Sequence, residues 1–256
     1  MATTDTKTVF LTGASSGINL AIAKHFADLG MNISILARNV GKLTAAKKEI
    51  EDRGAKCLIF PADVRNYDEV GKAFEDTANT LGPIDTVIAG AAGNFVAPAQ
   101  AISSNGFRSV LEIDTLGTFH TMKASFEHLR KNQACLIAIS APQAVVPYLA
   151  QSHVSTAKAG IDMMIKSLAL EWGRFGIRVL GISPGPIEDT EGLERLAPSA
   201  TAKEKIAKVT PIQRLGTKKD VARLTAFLAS DQANYITGTT IPCDGGIQLI
   251  GPIAFG

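Results

Sequence analysis

Cysteine is scarce in this chain. Cys57, Cys135 and Cys243 are all there is in 256 residues, odd in number and unevenly spaced. That excludes a disulfide framework and is the usage of a reducing compartment. Nowhere does an apolar run approach the ~18 residues needed to cross a bilayer. The opening MATTDTKTV lacks the pattern of a secretory leader, and the closing Ala254-Phe255-Gly256 is not a peroxisomal S-K-L address. The expectation is a cytoplasmic protein without a membrane span. An excess of one charge is missing too: 26 basic against 24 acidic residues leave +2 with no basic stripe, so no nucleic-acid partner is expected. His25, His120, His128 and His153 do not cluster with Cys or carboxylates at ligand spacing, and no metal is expected. Linkers, repeats and low-complexity segments are also absent, leaving residues 1–256 as one domain.

What is present is a 46% hydrophobic composition, ample for a chain of this length to bury a core. Short runs rich in Val, Ile and Phe recur at Thr8–Leu11, Ile33–Ala37, Leu58–Phe60, Thr86–Ala89, Leu136–Ile139, Val179–Ile182 and Thr239–Pro242. Most lack period-2 alternation, as strands buried on both faces of a parallel sheet do. Helical patterns fill the gaps: Leu20–Leu29, Val40–Arg53, Tyr67–Thr80, Ser104–Arg130, Ser155–Phe175, Glu191–Val209 and Lys218–Ser230. The alternation predicts a single α/β domain, Rossmann-like and doubly wound, with a seven-stranded parallel sheet and helices on both faces.

After the first strand comes Thr12-Gly13-Ala14-Ser15-Ser16-Gly17-Ile18-Asn19, opening a helix. Glycines there let the backbone turn tightly and approach a pyrophosphate, whose charge a helix N-terminus stabilises; a plain strand-to-helix turn also favours glycine. The second strand ends Ala37-Arg38-Asn39 with no carboxylate. A carboxylate at that place would accept from a ribose 2′-hydroxyl, whereas Arg38 suits a 2′-phosphate, so NADP(H) is the expected cofactor; the alternative is a surface arginine.

The spacing Gly13-x3-Gly17 resembles the T-G-x-x-x-G-x-G of the short-chain dehydrogenase/reductase family, with Asn19 in place of the last glycine. That exchange predicts a helix set slightly farther from the sheet. The resemblance runs from Thr12 to Gly246 and takes in Asp63-Val64, Pro184-Gly185-Pro186-Ile187 and Asp244-Gly245-Gly246. It implies cofactor contacts at Gly13, Ser15, Ser16, Gly17, Ile18, Arg38, Asp63, Val64, Ala91, Gly93, Lys158, Pro184, Gly185, Ile187 and Thr190. It also implies a substrate loop at about 185–212 and a homotetramer.

One departure from the family is informative. Most members carry Tyr-x-x-x-Lys, with a Ser thirteen residues before the Tyr. Here Lys158 survives, but Val154 stands at the Tyr position and Ala141 at the Ser position. None of Tyr67, Tyr148 and Tyr235 has a lysine four residues on, and the family's catalytic Asn is Asp114. The segments Ala91-Ala92-Gly93-Asn94-Phe95, Ile113–Phe119 and Pro184–Gly192 resemble the 2,4-dienoyl-CoA reductase subgroup, which lacks the Tyr in its peroxisomal form. The chemistry agrees. Hydride addition to a conjugated dienoyl thioester makes a delocalised dienolate, which hydrogen-bond donors at the thioester oxygen stabilise without a phenolic acid. By this resemblance Asp114, Lys158 and Asp244 are catalytic, the two aspartates orienting a proton-delivering water. Acyl-CoA contacts fall on Arg38, Arg65, Phe95, Ser103, Ser104, Asn105 and Arg195. Tyr148 is a loop-surface tyrosine or a substitute acid. Two other readings stay open: another enoyl- or ketoacyl-thioester reductase, and a non-catalytic NADP(H)-binding module.

Overall fold

The computed structural model describes residues 6–250, so the two chain ends on which the leader and address readings rest lie outside the described residues. Seven strands form one parallel sheet in the order β3-β2-β1-β4-β5-β6-β7. They are β1 Thr8–Thr12, β2 Asn32–Ala37, β3 Cys57–Pro61, β4 Thr86–Ala89, β5 Cys135–Ile139, β6 Arg178–Pro184 and β7 Thr240–Cys243. The strands are as expected from their apolar runs, with ends shifted by one or two residues. Burial on both faces explains the missing alternation: along β1, Val9 and Leu11 join one core cluster and Phe10 the other. Phe10 stacks on Phe74 with ring centroids 3.9 Å apart, beneath α3 (Tyr67–Leu81).

On the Val9 face lie α1 (Gly17–Asp28), α2 (Val40–Glu51) and α9 (Lys218–Ala229). Asn39 and Asn66 begin α2 and α3 by accepting hydrogen bonds from Lys42 N and Glu69 N, as side chains at helix starts do. Thr217 and Asp220 form a reciprocal cap at the start of α9.

Two of the expected long helices are broken. Ser104–Arg130 divides into α4 (Ser104–Leu111), a π turn at Glu112–Leu116 and α5 (Gly117–Ser125), followed by a short 3-10 turn. The extra residue of a π turn re-aims the side chains on it, and Asp114 lies there with 0% exposure. Glu191–Val209 divides into α7 (Glu191–Leu196) and α8 (Ala200–Val209). The break is at Pro198, which disfavours helical backbone at Ala197 and is followed by Ser199, whose side chain starts α8. The remaining long helix, α6, runs Ser152–Trp172, beginning three residues before its expected start.

Candidate active site

In an open parallel sheet, ligands bind beyond the carboxyl ends of the strands where the strand order reverses. Here that point lies between β1 and β4, and a cleft of about 930 Å³ opens there. Its floor is tight backbone. Gly13 has φ +68°, and a Cβ on it would stand 2.8 Å from Ala91 Cα and N. Only glycine fits both the left-handed conformation and the close approach. Ser16 opens α1 with no side-chain capping bond, so the first amides of the helix are left to a ligand. Asn19 stands where the family has its last glycine and fills the space between α1 and the strand ends. Its amide Nδ2 donates to Gly90 O at 2.7 Å and Gly13 O at 3.3 Å, tying α1 to both strand ends.

At the end of β2, Arg38, Asn39 and Lys42 line the cleft and no carboxylate joins them from that strand. Asp63 lies opposite, its carboxyl held below the usual range by the hydrogen bond from the Arg65 side chain, with Arg38 adding to the effect. All fifteen residues expected to touch a dinucleotide line this one cleft, from Gly13 to Thr190.

Deeper in, Lys158 and Asp114 form a buried ion pair at 3.1 Å. The Lys158 ammonium also donates to Ile139 O at 3.0 Å, and Asp114 Oδ1 accepts from Gly93 N at 2.6 Å. Thr115 Oγ1 donates to Ala157 O at 3.1 Å and joins the π turn to α6. The carboxylate is thereby locked between the β4 loop, the π turn and α6, where it is an acceptor and orienter. Val154 and Ala141 also line the cleft, adding apolar surface where the family norm has hydroxyls. Tyr148 lines it too. Burial pushes its phenol up to about 12, with the Asp244 charge contributing, so it stays protonated as a hydrogen-bond donor.

Asp244 is placed differently from Asp114. It does not line the cleft; its Oδ1 accepts from Gly246 N at 2.9 Å and its Oδ2 from Gln248 N at 3.0 Å. It packs against Gly185, where an added Cβ would meet Asp244 Cα at 2.6 Å. Its carboxylate braces the turn behind the Pro184-Gly185 wall.

The expected acyl-CoA contacts are scattered. Arg38 and Arg195 line the cleft, and Arg195 also donates to Asn94 O and pairs with Glu191 at 3.3 Å. Arg65 is held by Asp63 in a two-pronged pair, at 3.0 and 2.7 Å, and lies off the cleft. Ser103 caps α4 by accepting from Gly106 N, and Ser104 and Asn105 are exposed beyond the lining. Phe95 stacks on His153, centroids 4.2 Å apart, and its carbonyl lies 3.0 Å from His153 Nε2 and accepts from Gln151 Nε2. That makes His153 the hydrogen-bonded, packed histidine of a loop that it holds in place.

Among the lining residues that the sequence reading gave no site role are Lys42, Gln143 and Asn94, the last quoted only as part of a family segment. Lys42 was legible, since it lies four residues after Arg38 with the first turn of a helix between them. Gln143 was not, because its position depends on a 3-10 turn after β5.

Known proteins resemble this chain over most of its length. The family described as enoyl-(acyl carrier protein) reductase matches residues 13–248. A peroxisomal 2,4-dienoyl-CoA reductase of Saccharomyces cerevisiae, (3E)-enoyl-CoA-producing, is 40% identical over 249 residues, covering 96% of this chain and 85% of that protein. A probable 2,4-dienoyl-CoA reductase of Bacillus subtilis, (2E)-enoyl-CoA-producing, is 38% identical over 97% of this chain and 99% of its own. The crystal structure of a short chain dehydrogenase from Bacillus anthracis superposes with a TM-score of 0.84 at 39% identity, covering 94% of this chain and 95% of that one.

Proposed function

The chain belongs to the short-chain dehydrogenase/reductase family, and from that premise we propose that it reduces 2,4-dienoyl-CoA thioesters to 3-enoyl-CoA with NADPH, a step of unsaturated fatty-acid β-oxidation. The carrying observation is that Lys158 is kept and paired to Asp114 while Val154 and Ala141 replace the phenol and hydroxyl of the usual acid. A ketone reductase needs that acid; a dienoyl thioester, whose proton is taken up on carbon, does not.

The cleft fits a nicotinamide dinucleotide. The Gly13 cradle rejects even a Cβ, and the uncapped amides of α1 suit a pyrophosphate. Arg38, with no carboxylate beside it on β2, suits a 2′-phosphate and favours NADPH. Bound there, the cofactor supplies the hydride. Lys158 keeps a donor for the nicotinamide ribose beyond its bonds to Ile139 and Asp114. Asp114 orients the water that delivers a proton to carbon. Asp244 acts in this reading as a positioning residue, holding the turn behind Gly185. Arg195, on α7 at the start of the loop at about 185–212, meets the phosphates of CoA, and Phe95 borders the acyl chain.

The test is NADPH consumption with 2,4-hexadienoyl-CoA beside a panel of ketones and 2-enoyl-CoAs, with the double-bond position of the product read by NMR. A 3-enoyl product is expected; faster turnover of any ketone overturns the substrate, and a 2-enoyl product overturns the site of protonation. Leu116, Phe119, Met163 and Leu170, on or beside α5 and α6, are exposed apolar side chains that suit packing between subunits in a homotetramer. Light scattering checks that, and a monomer refutes it.

A further inference from the structure

We propose that Gln143 is the hydrogen-bond donor to the thioester oxygen of the acyl substrate, an inference that rests on the proposed dienoyl-CoA reduction. Gln143 is only 7% exposed, yet its side-chain amide makes no hydrogen bond to any described residue. A buried amide without partners is unfavourable, and native structures rarely keep one unless something else satisfies it. Nearby Ser140 Oγ is also unpartnered but is fully enclosed; the Gln143 amide is not among the enclosed atoms and keeps access to the cleft it lines. It shares that lining with Asp114, Lys158, Tyr148 and Gly185.

The backbone holds it firmly. Gln143 is the middle residue of the 3-10 turn Pro142–Ala144, whose first residue has its φ fixed by its ring. Val145 N and Val146 N both donate to Pro142 O, at 3.1 and 3.0 Å. A turn held this way limits where the amide can reach, and a donor already placed near the reacting oxygen gives more than one that must be brought to it during the reaction.

A hydride leaves the reduced nicotinamide and forms a C–H bond at C5 of the dienoyl thioester. The π electrons shift to make C3=C4 and place negative charge on the thioester oxygen, where the Gln143 Nε2–H donates. The charge then returns through C2, which takes a proton from water, and the carbonyl is restored. The amide gives up no proton and does not titrate. Val154 and Ala141 offer no side-chain donor to compete with it.

Gln143→Met keeps the side chain's length and removes both amide atoms. With 2,4-hexadienoyl-CoA, kcat is expected to fall about 100-fold, the effect of removing one oxyanion donor, while the NADPH Kd by fluorescence changes less than about 2-fold, well under one hydrogen bond's worth. In complexes made with NADP+, where no hydride is available, the dienoyl absorption band is expected to shift red in the wild type and not in Gln143→Met. Gln143→Glu covers the case in which Met fails to fold: its activity is expected to rise as pH falls and the carboxyl gains a proton to donate. A folded Gln143→Met with kcat within about 3-fold of wild type and the red shift intact overturns the proposal, as does a Gln143→Glu whose rate follows the wild-type pH profile. Failure of the wild type on every dienoyl-CoA overturns instead the function on which the proposal rests.

Discussion

In the proposed function, the nucleotide end of the cleft is shaped by backbone and the acyl end by side chains. At the first, Gly13 leaves no room for a Cβ against Ala91, and Asn19 spends its amide on the carbonyls of Gly13 and Gly90. At the second, Arg195 reaches across to Asn94 O and lines the cleft with Gln143 and Tyr148, while the ring of Phe95 lies on His153 outside that lining. Backbone geometry recognises what every dinucleotide shares, so it permits little variation. Side chains on a 3-10 turn and a short helix can be exchanged without disturbing the sheet, which lets one fold change its substrate. Between the two ends lies the Lys158–Asp114 pair, answerable to both.

The largest effect is expected at that junction. Asp114→Asn keeps an oxygen for Gly93 N but removes the charge facing Lys158. If the carboxylate orients the proton-delivering water, kcat falls by ~10²–10⁴-fold, with NADPH affinity changed far less. Leaving the Lys158 charge buried and unpaired also costs about 3–5 kcal/mol of stability. Adding Lys158→Met to Asp114→Asn restores much of that stability and none of the turnover. Thermal melts beside steady-state rates separate the two losses, and recovery of both together would make the pair purely structural.

At the nucleotide end, Arg38→Asp is expected to weaken NADPH binding by about 10- to 100-fold, the worth of one hydrogen bond to a charged group. It improves NADH binding, because a carboxylate accepts from a 2′-hydroxyl and repels a 2′-phosphate. Fluorescence titration with both cofactors checks this, and equal affinities in the unmodified protein contradict it.

The acyl end yields a smaller contrast. Tyr148→Phe removes one hydroxyl and leaves the ring in place. With the phenol at about 12, it contributes no titration below pH 10, so the wild type and Tyr148→Phe share the same pH profile. A positioning role for Asp244 predicts that Asp244→Asn lowers the melting temperature more than kcat, since its lost interactions are with the amides of Gly246 and Gln248. If Tyr148→Phe abolishes turnover while Asp114→Asn does not, the proton comes from the phenol.

This division also governs how much could be read from the sequence. The sheet and the nucleotide wall were legible because glycine spacing, strand ends and an arginine in place of a carboxylate are local features with local causes. Asp114 and Lys158 were named as well, through a family pattern. The acyl end was less legible. Arg65, Ser103 and Asp244 are plausible by type, but each is occupied nearby: Arg65 by Asp63, Ser103 by Gly106 N, Asp244 by its own turn. Local hydrogen bonds of that kind compete with a ligand and leave no trace in composition. Gln143 was missed for the converse reason, since only burial without a partner distinguishes it from any other glutamine.

The smallest expected effect lies behind the nucleotide wall and tests whether that wall leans on its support. Helix α9 packs on α1 and opens with the Thr217–Asp220 cap, in which Asp220 also receives Arg214 at 2.7 Å. That hydrogen bond, with those from Thr217, lowers the Asp220 carboxyl to about 2 from an ordinary 3.8. A carboxyl whose pKa is lower folded than unfolded adds stability above the unfolded value and loses it as pH falls through the folded one. The contribution is therefore complete above about pH 5 and disappears between roughly pH 4 and 2. Asp220→Asn removes it at neutral pH, together with part of the cap, at a cost of about 1 kcal/mol. Since the group is partly exposed, salt is expected to reduce the difference. Urea melts at pH 7 and pH 3 should thus differ less in Asp220→Asn than in the wild type, with kcat unchanged at pH 7. A loss of NADPH affinity in that variant, at full folding, would show that the backbone floor depends on α9 for its shape.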